Sequence, residues 1–171
     1  MWNRFILLVA AVGFVFGFHT SVYAKASAKM SVEPALEVEL QAVLDSSVSL
    51  HQALFQQNEA EVDVALKEIL IRIERSEQKS SLSPSGQTHL LKILDAARGH
   101  LEMGQIQSGS DRSKSLQGAF HQLVQLNRIF DLGDYKIYFC SKDRTVWLQK
   151  GLKPQNPFNP QRYKNCGRIA Q

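Results

Sequence analysis

Between Pro34 and Phe130 the chain carries four successive apolar stripes at helical spacing, and this pattern most restricts what it can fold into. Leu36, Leu40, Val43, Leu44, Leu50, Leu54 and Phe55 form the first, opened by Pro34, whose missing N–H costs nothing in a first helical turn. Val62, Ala65, Leu66, Ile69, Leu70 and Ile73 form the second, after a capping-box-like pair of Asn58 and Glu61. Ser80 to Gly86 breaks the periodicity with a proline and a glycine. Leu90, Leu91, Leu94, Ala97 and Leu101 make the third stripe. Ser108-Gly109-Ser110 breaks it again, and Leu116, Phe120, Leu123, Val124, Asn127 and Phe130 make the fourth. Isolated helices of this length are marginal in water, so burial of the stripes against one another must hold them. The short connections predict an antiparallel four-helix bundle over residues 33–132, within a mostly α protein.

The pattern changes after Gly133. Tyr135, Ile137 and Phe139 alternate with Lys136, Tyr138 and Cys140, which predicts a short strand, and Val146-Trp147-Leu148 is a candidate for another. Pro154, Pro157 and Pro160 exclude a helix through the stretch they span. Residues 133–171 are therefore read as a strand-and-loop tail packed on the bundle, forming one domain with it.

Ahead of the bundle lies an export signal. Arg4 precedes an uncharged run from Phe5 to Phe18, shorter than the roughly 20 residues needed to span a bilayer. Val22 and Ala24 fit a cleavage site, placing the cut after Ala24, with Ala28 as the second option. Residues 1–24 are expected to be removed and residues 25–32 to form a mobile leader. No later stretch is apolar enough to cross a membrane. Cleavage would leave 147 of the 171 residues, enough for one core, in the periplasm.

The two cysteines, Cys140 and Cys166, both lie in the tail. In an exported protein an even count points first to a disulfide. The alternative is a soft-metal site, which two thiolates alone leave incomplete. The tail reads Tyr138-Phe139-Cys140-Ser141-Lys142, then Trp147-Leu148, Asn156-Pro157-Phe158 and Cys166-Gly167. This resembles a bacterial periplasmic domain family of unknown function, found alone or appended to adaptor subunits of copper and heavy-metal efflux systems. That family's tail runs through Cys-Pro-Met, Trp-Leu, Asn-Pro-Tyr-Phe-Gly, a methionine and Cys-Gly. The resemblance covers nearly the whole chain after the signal and implies a copper connection. Here, however, Ser141-Lys142 replaces Pro-Met, and Tyr163 stands where the later methionine would be. Both thioethers are gone, and an ammonium beside Cu(I) would repel it. The combination is that expected of a fold keeping a structural disulfide after losing a metal site. In the copper-binding alternative, a chaperone or buffer, Cys140 and Cys166 would be completed by a histidine, with His121 first to test.

The remaining histidines, His51, His89 and His100, have no paired metal-ligand spacing, and all four read as partly exposed flanks of helices. Trp147 is expected to anchor the tail in the core, with Tyr138, Asn156, Pro157 and Phe158 around it; the Asn156–Pro157 isomer stays open. Lys142, Arg144, Lys150, Lys153, Arg162, Lys164 and Arg168 face the single acid Asp143 in this stretch, a basic face able to meet an acidic partner. Export argues against nucleic acid. No nucleophile elbow, phosphate loop, zinc-protease helix or buried carboxylate pair is present. Asp131 and Asp134 flank Gly133 as turn residues. The reading is a non-catalytic periplasmic binding or accessory module with no cofactor, whose partner is another cell-envelope protein.

Overall fold

A computed structural model of the chain describes residues 29–80 and 84–170, without the side chains of 84–86. The stretch expected to be a signal sequence and the first part of the expected leader lie outside the described residues. The elements run α1 (Pro34–Gln56), α2 (Glu59–Gln78), α3 (Pro84–Ile106), α4 (Gly109–Ile129), β1 (Lys136–Cys140), β2 (Thr145–Gln149), α5 (Pro160–Tyr163) and β3 (Arg168–Ile169). All four stripes become helices, and their apolar residues, Phe55 and Leu91 excepted, fuse into one core with the tail's Ile137, Tyr138, Val146, Trp147 and Leu148. No helix of the described residues is long and apolar enough to cross a membrane.

Two-residue links join α1 to α2 and α3 to α4, too short for anything but antiparallel hairpins. Gln57 makes the first turn possible by adopting a left-handed φ of 59° at the end of α1. Asn58 then accepts a hydrogen bond from the Glu61 N–H at 3.3 Å. Its own N–H returns to Ala53 O, so only half of the capping box forms. The break before α3 is shorter than its composition implies, because Pro84 opens the helix instead of ending the loop.

α1 and α4 touch each other only slightly, because β2 lies against both. That position explains the sequence of the strand. All five of its residues are buried, so Val146-Trp147-Leu148 shows no polar alternation. β1 pairs antiparallel with β2 and with β3, giving the order β2-β1-β3. The leader is tied sooner than expected: Met30 donates to Ile129 O at 2.7 Å and accepts from the Asp131 N–H at 2.9 Å. Met30, within the stretch foreseen as a mobile leader through Val32, pairs with Phe130 as an isolated bridge. The tail also contains one turn of helix, α5, with Pro160 in its first turn, where the ring is tolerated.

Candidate functional site

The tail is built around Trp147. Its indole is fully buried and stacks on Tyr138, its partner across the β1–β2 ladder, with ring centroids 5.8 Å apart. Gly167 lies directly over it, and a Cβ there would sit 3.0 Å from the indole and 2.7 Å from Pro154. The indole N–H donates to Gln149 Oε1 at 2.8 Å. Gln149 is itself buried and uses its whole amide. Its Oε1 also accepts from the Gln155 N–H, and its Nε2 donates to Gly151 O and Lys153 O at 2.8 and 2.7 Å. Tyr138 Oη donates to Leu152 O at 2.7 Å. One side chain and one phenol thus fold residues 151–155 over the tryptophan.

A second group fixes the far end of the hairpin. Asp143 Oδ1 accepts from the Thr145 hydroxyl at 2.7 Å, and Oδ2 accepts from Asn156 Nδ2 at 2.8 Å. Asn156 is fully buried, and its Oδ1 accepts from the N–H groups of Phe158 and Asn159 at 3.0 and 3.2 Å. Its backbone N–H donates to Lys164 O. The Asn156–Pro157 bond is trans. Pro157 is buried, and half-buried Phe158 meets Phe120 of α4 edge-on at 5.5 Å. Cys140 and Cys166 form a disulfide, closing the tail covalently onto β1.

His51 is the bundle's contribution, and it departs from the sequence reading. Rather than flanking its helix partly exposed, it is 1% exposed. Its Nε2–H donates to Gln155 O at 2.7 Å, and since a carbonyl only accepts, that bond sets the tautomer. Burial pushes the imidazole below its ordinary pKa, opposed by this hydrogen bond. His89, His100 and His121 are exposed. The ligand set of the copper alternative does not assemble. The two thiols are joined to each other, His121 points outward on α4, and the described residues contain no group of three or more His, Cys, Asp or Glu able to hold a metal. With both thiols consumed in the disulfide and the Lys142 ammonium two residues from Cys140, the residues present do not fit Cu(I).

The seven tail cations do not share one face. Lys150 lies at the opposite end of the hairpin from Lys142 and Arg144, with the whole of β2, roughly 13 Å long at strand rise, between them. It is paired with Asp45 at 2.6 Å and sits 5.2 Å over the Tyr135 ring. The Tyr135 hydroxyl, buried and donating to Asp45 at 2.8 Å, is pushed well above its usual pKa. The other six cations make no ion pair among the described residues, and Lys142, Arg144, Lys153, Arg162, Lys164 and Arg168 are exposed. Three lie over rings: Arg162 over Tyr163 at 5.1 Å, Lys164 over Phe55 at 5.7 Å and Arg168 over Phe139 at 6.0 Å.

Gln149 and Asp143 escaped the sequence reading. Asp143 had a local signal, an acid two residues before a threonine at a turn. Gln149 had none, because its partners come from the loop it organises. A cleft of about 440 Å³ lies between the α1–α2 turn, the start of α4 and Pro157–Pro160. Arg112 lines it but is already paired with Glu59 and Asp63. No family model, no curated protein and no solved structure matches the chain.

Proposed function

We propose that this protein is an exported, non-catalytic binding or accessory module of the bacterial periplasm, and that another cell-envelope protein docks on its tail. One observation carries the reading: the tail's buried polar groups are consumed in holding its own backbone, while six cations stand outside unpaired. A surface organised in this way holds a shape and offers charge, and it brings no base or nucleophile to a bond. The export signal places two cysteines in an oxidising compartment, where a disulfide persists. The likeness of the tail to the periplasmic domain family agrees with that compartment.

The test combines two measurements. Alkylation and intact mass should find no free thiol at Cys140 or Cys166, and the purified protein should take up no Cu(I). A photo-crosslinking residue introduced at Arg144 or Arg168 in living cells should capture one discrete envelope protein, and the same residue at Lys92 on α3 should not. Reactive thiols with stoichiometric Cu(I) uptake would overturn the reading in favour of a copper chaperone or buffer.

A further inference from the structure

The unpaired cations come from separate stretches of chain, and the tertiary contacts gather four of them. Lys142 and Arg144 occupy the β1–β2 turn. Lys164 and Arg168 flank Cys166 by two residues on either side. The disulfide sets the Cα atoms of Cys140 and Cys166 5.3 Å apart, and two residues of chain reach at most about 7 Å further. A second tie closes the group: Asp143, between Lys142 and Arg144, binds the Asn156 side chain, and the Asn156 N–H binds Lys164 O. Asp143 is the only acid in the stretch, and both of its carboxylate oxygens are engaged with Thr145 and Asn156. The cluster therefore faces solvent with four cations to one carboxylate, and the Asp143 oxygens are turned to Thr145 and Asn156 while none of the four cations makes an ion pair among the described residues.

We infer that this end of the tail is the docking site for an acidic, extended segment of a partner protein, with the carboxylates of that segment received by Lys142, Arg144, Lys164 and Arg168. The inference rests on the reading of the tail as the docking element and names the chemistry of what docks there. Two observations favour a peptide over an anionic lipid surface. Lys164 and Arg168 are parked over Phe55 and Phe139, so little side-chain freedom is lost when a carboxylate arrives, and guanidinium groups suit carboxylates in fork geometry. A membrane-seated surface would instead set its cations beside exposed aliphatic side chains. Here they are divided. Residues paired across a ladder point to the same face, so Arg168 lies with Phe139 and the exposed Ile169 with Tyr138, on opposite faces of the sheet. Leu152, 76% exposed, belongs to the separate 151–155 loop, where its carbonyl is held by the Tyr138 hydroxyl.

The probe is a fluorescent ten-residue oligoglutamate, titrated by anisotropy against the oxidised protein, with phosphatidylglycerol vesicles in parallel. The peptide should bind, and more weakly as salt is raised. Lys142→Glu with Arg168→Glu should weaken it roughly tenfold or more. Lys67→Glu with Lys92→Glu, an equal change of net charge on exposed helix positions, should change it less than about twofold. The milder pair Lys142→Gln with Arg168→Gln keeps the comparison open if reversal disturbs folding. Cys140→Ser with Cys166→Ser should weaken binding as the reversal does, because it separates the two arms of the cluster. Equal losses from patch and control pairs, no peptide binding, or patch-dependent binding to vesicles alone would each overturn the inference. A crosslinked envelope partner obtained alongside any of these leaves the docking reading standing with a different chemistry, whereas Cu(I) uptake removes that reading itself.

Discussion

The bundle and the tail bury polar groups in opposite ways. In α1 and α2, Ser47 and Ser76 hydrogen-bond back to Leu44 O and Arg72 O of their own helices, at 2.6 and 2.8 Å. Those bonds add nothing between elements; the helices are joined by apolar stripes, edged by ion pairs such as buried Glu39 with Arg72 and Lys79 and Glu77 with Arg98. In the tail, Gln149, Asn156 and Asp143 bond to loop backbone and side chains across the turns. Helices satisfy their own backbone, so they can be held by burial alone, whereas an irregular segment needs partners for each N–H and C=O it buries. The tail's side-chain network is the consequence, and Trp147 and the disulfide add the packing and the closure that a short three-stranded sheet lacks.

The largest effect should come from the point where the regions meet. Trp147→Ala is expected to cost about 3–5 kcal/mol by emptying the cavity between the loop and the sheet. Because β2 lies between α1 and α4, chemical denaturation should still show one transition, with tail and α1 amides losing exchange protection together. Two transitions would mean that the tail folds independently of the bundle. Removing the Cys140–Cys166 bond should cost about 3.5 kcal/mol in the chain-entropy model for a loop of this length, measured as a drop in denaturant midpoint under reducing conditions. Gln149→Leu keeps the volume but leaves the Trp147 and Gln155 N–H groups without their acceptor, at roughly 2–3 kcal/mol. A helix-facing polar substitution such as Ser76→Ala should cost far less, under about 1 kcal/mol, since the bond its hydroxyl makes is to its own helix. Comparable losses at Gln149 and Ser76 would erase the contrast between the regions.

His51 adds a pH test of the same contact. Its pKa is lowered in the fold, so the unfolded chain takes up the proton first as pH falls. Stability from this group is complete above the unfolded value near 6.5 and is lost as pH falls below it, by at most about 1.4 kcal/mol per pH unit. Equilibrium denaturation from pH 7.5 to 5 should show that slope in the parent protein, and His51→Gln should flatten it. The smallest effect is local to the first turn. Gln57→Gly should stabilise by about 0.5 kcal/mol, since φ of 59° suits glycine better. Thermal melting would show it as a small rise in midpoint.

Legibility in the sequence followed the range of the interaction. Leu36 through Phe130 could be read as four helices because each stripe repeats within one element. Pro84 misled only by being read as part of a loop when it starts a helix. Trp147 stood out by residue type, and Tyr138 and Asn156 by their place in the tail pattern. His51 was misjudged because the loop that buries it, through Gln155, lies 104 residues away. The seven tail cations looked like one face because they are neighbours in sequence, and the hairpin register separates Lys150 from the rest.

The amino-acid sequence by itself determined the helical bundle, the change to strand and loop after Gly133, and the presence of two cysteines in the tail. These rest on local periodicity, turn chemistry and composition, which need no knowledge of distant neighbours. The tertiary structure alone decided that β2 enters between α1 and α4, that Gln149 and His51 hold the loop over Trp147, and that the stretches carrying Lys142, Arg144, Lys164 and Arg168 are tied together at one end. Each of those depends on which remote groups complete a hydrogen bond or fill a gap, and chain spacing carries no record of that.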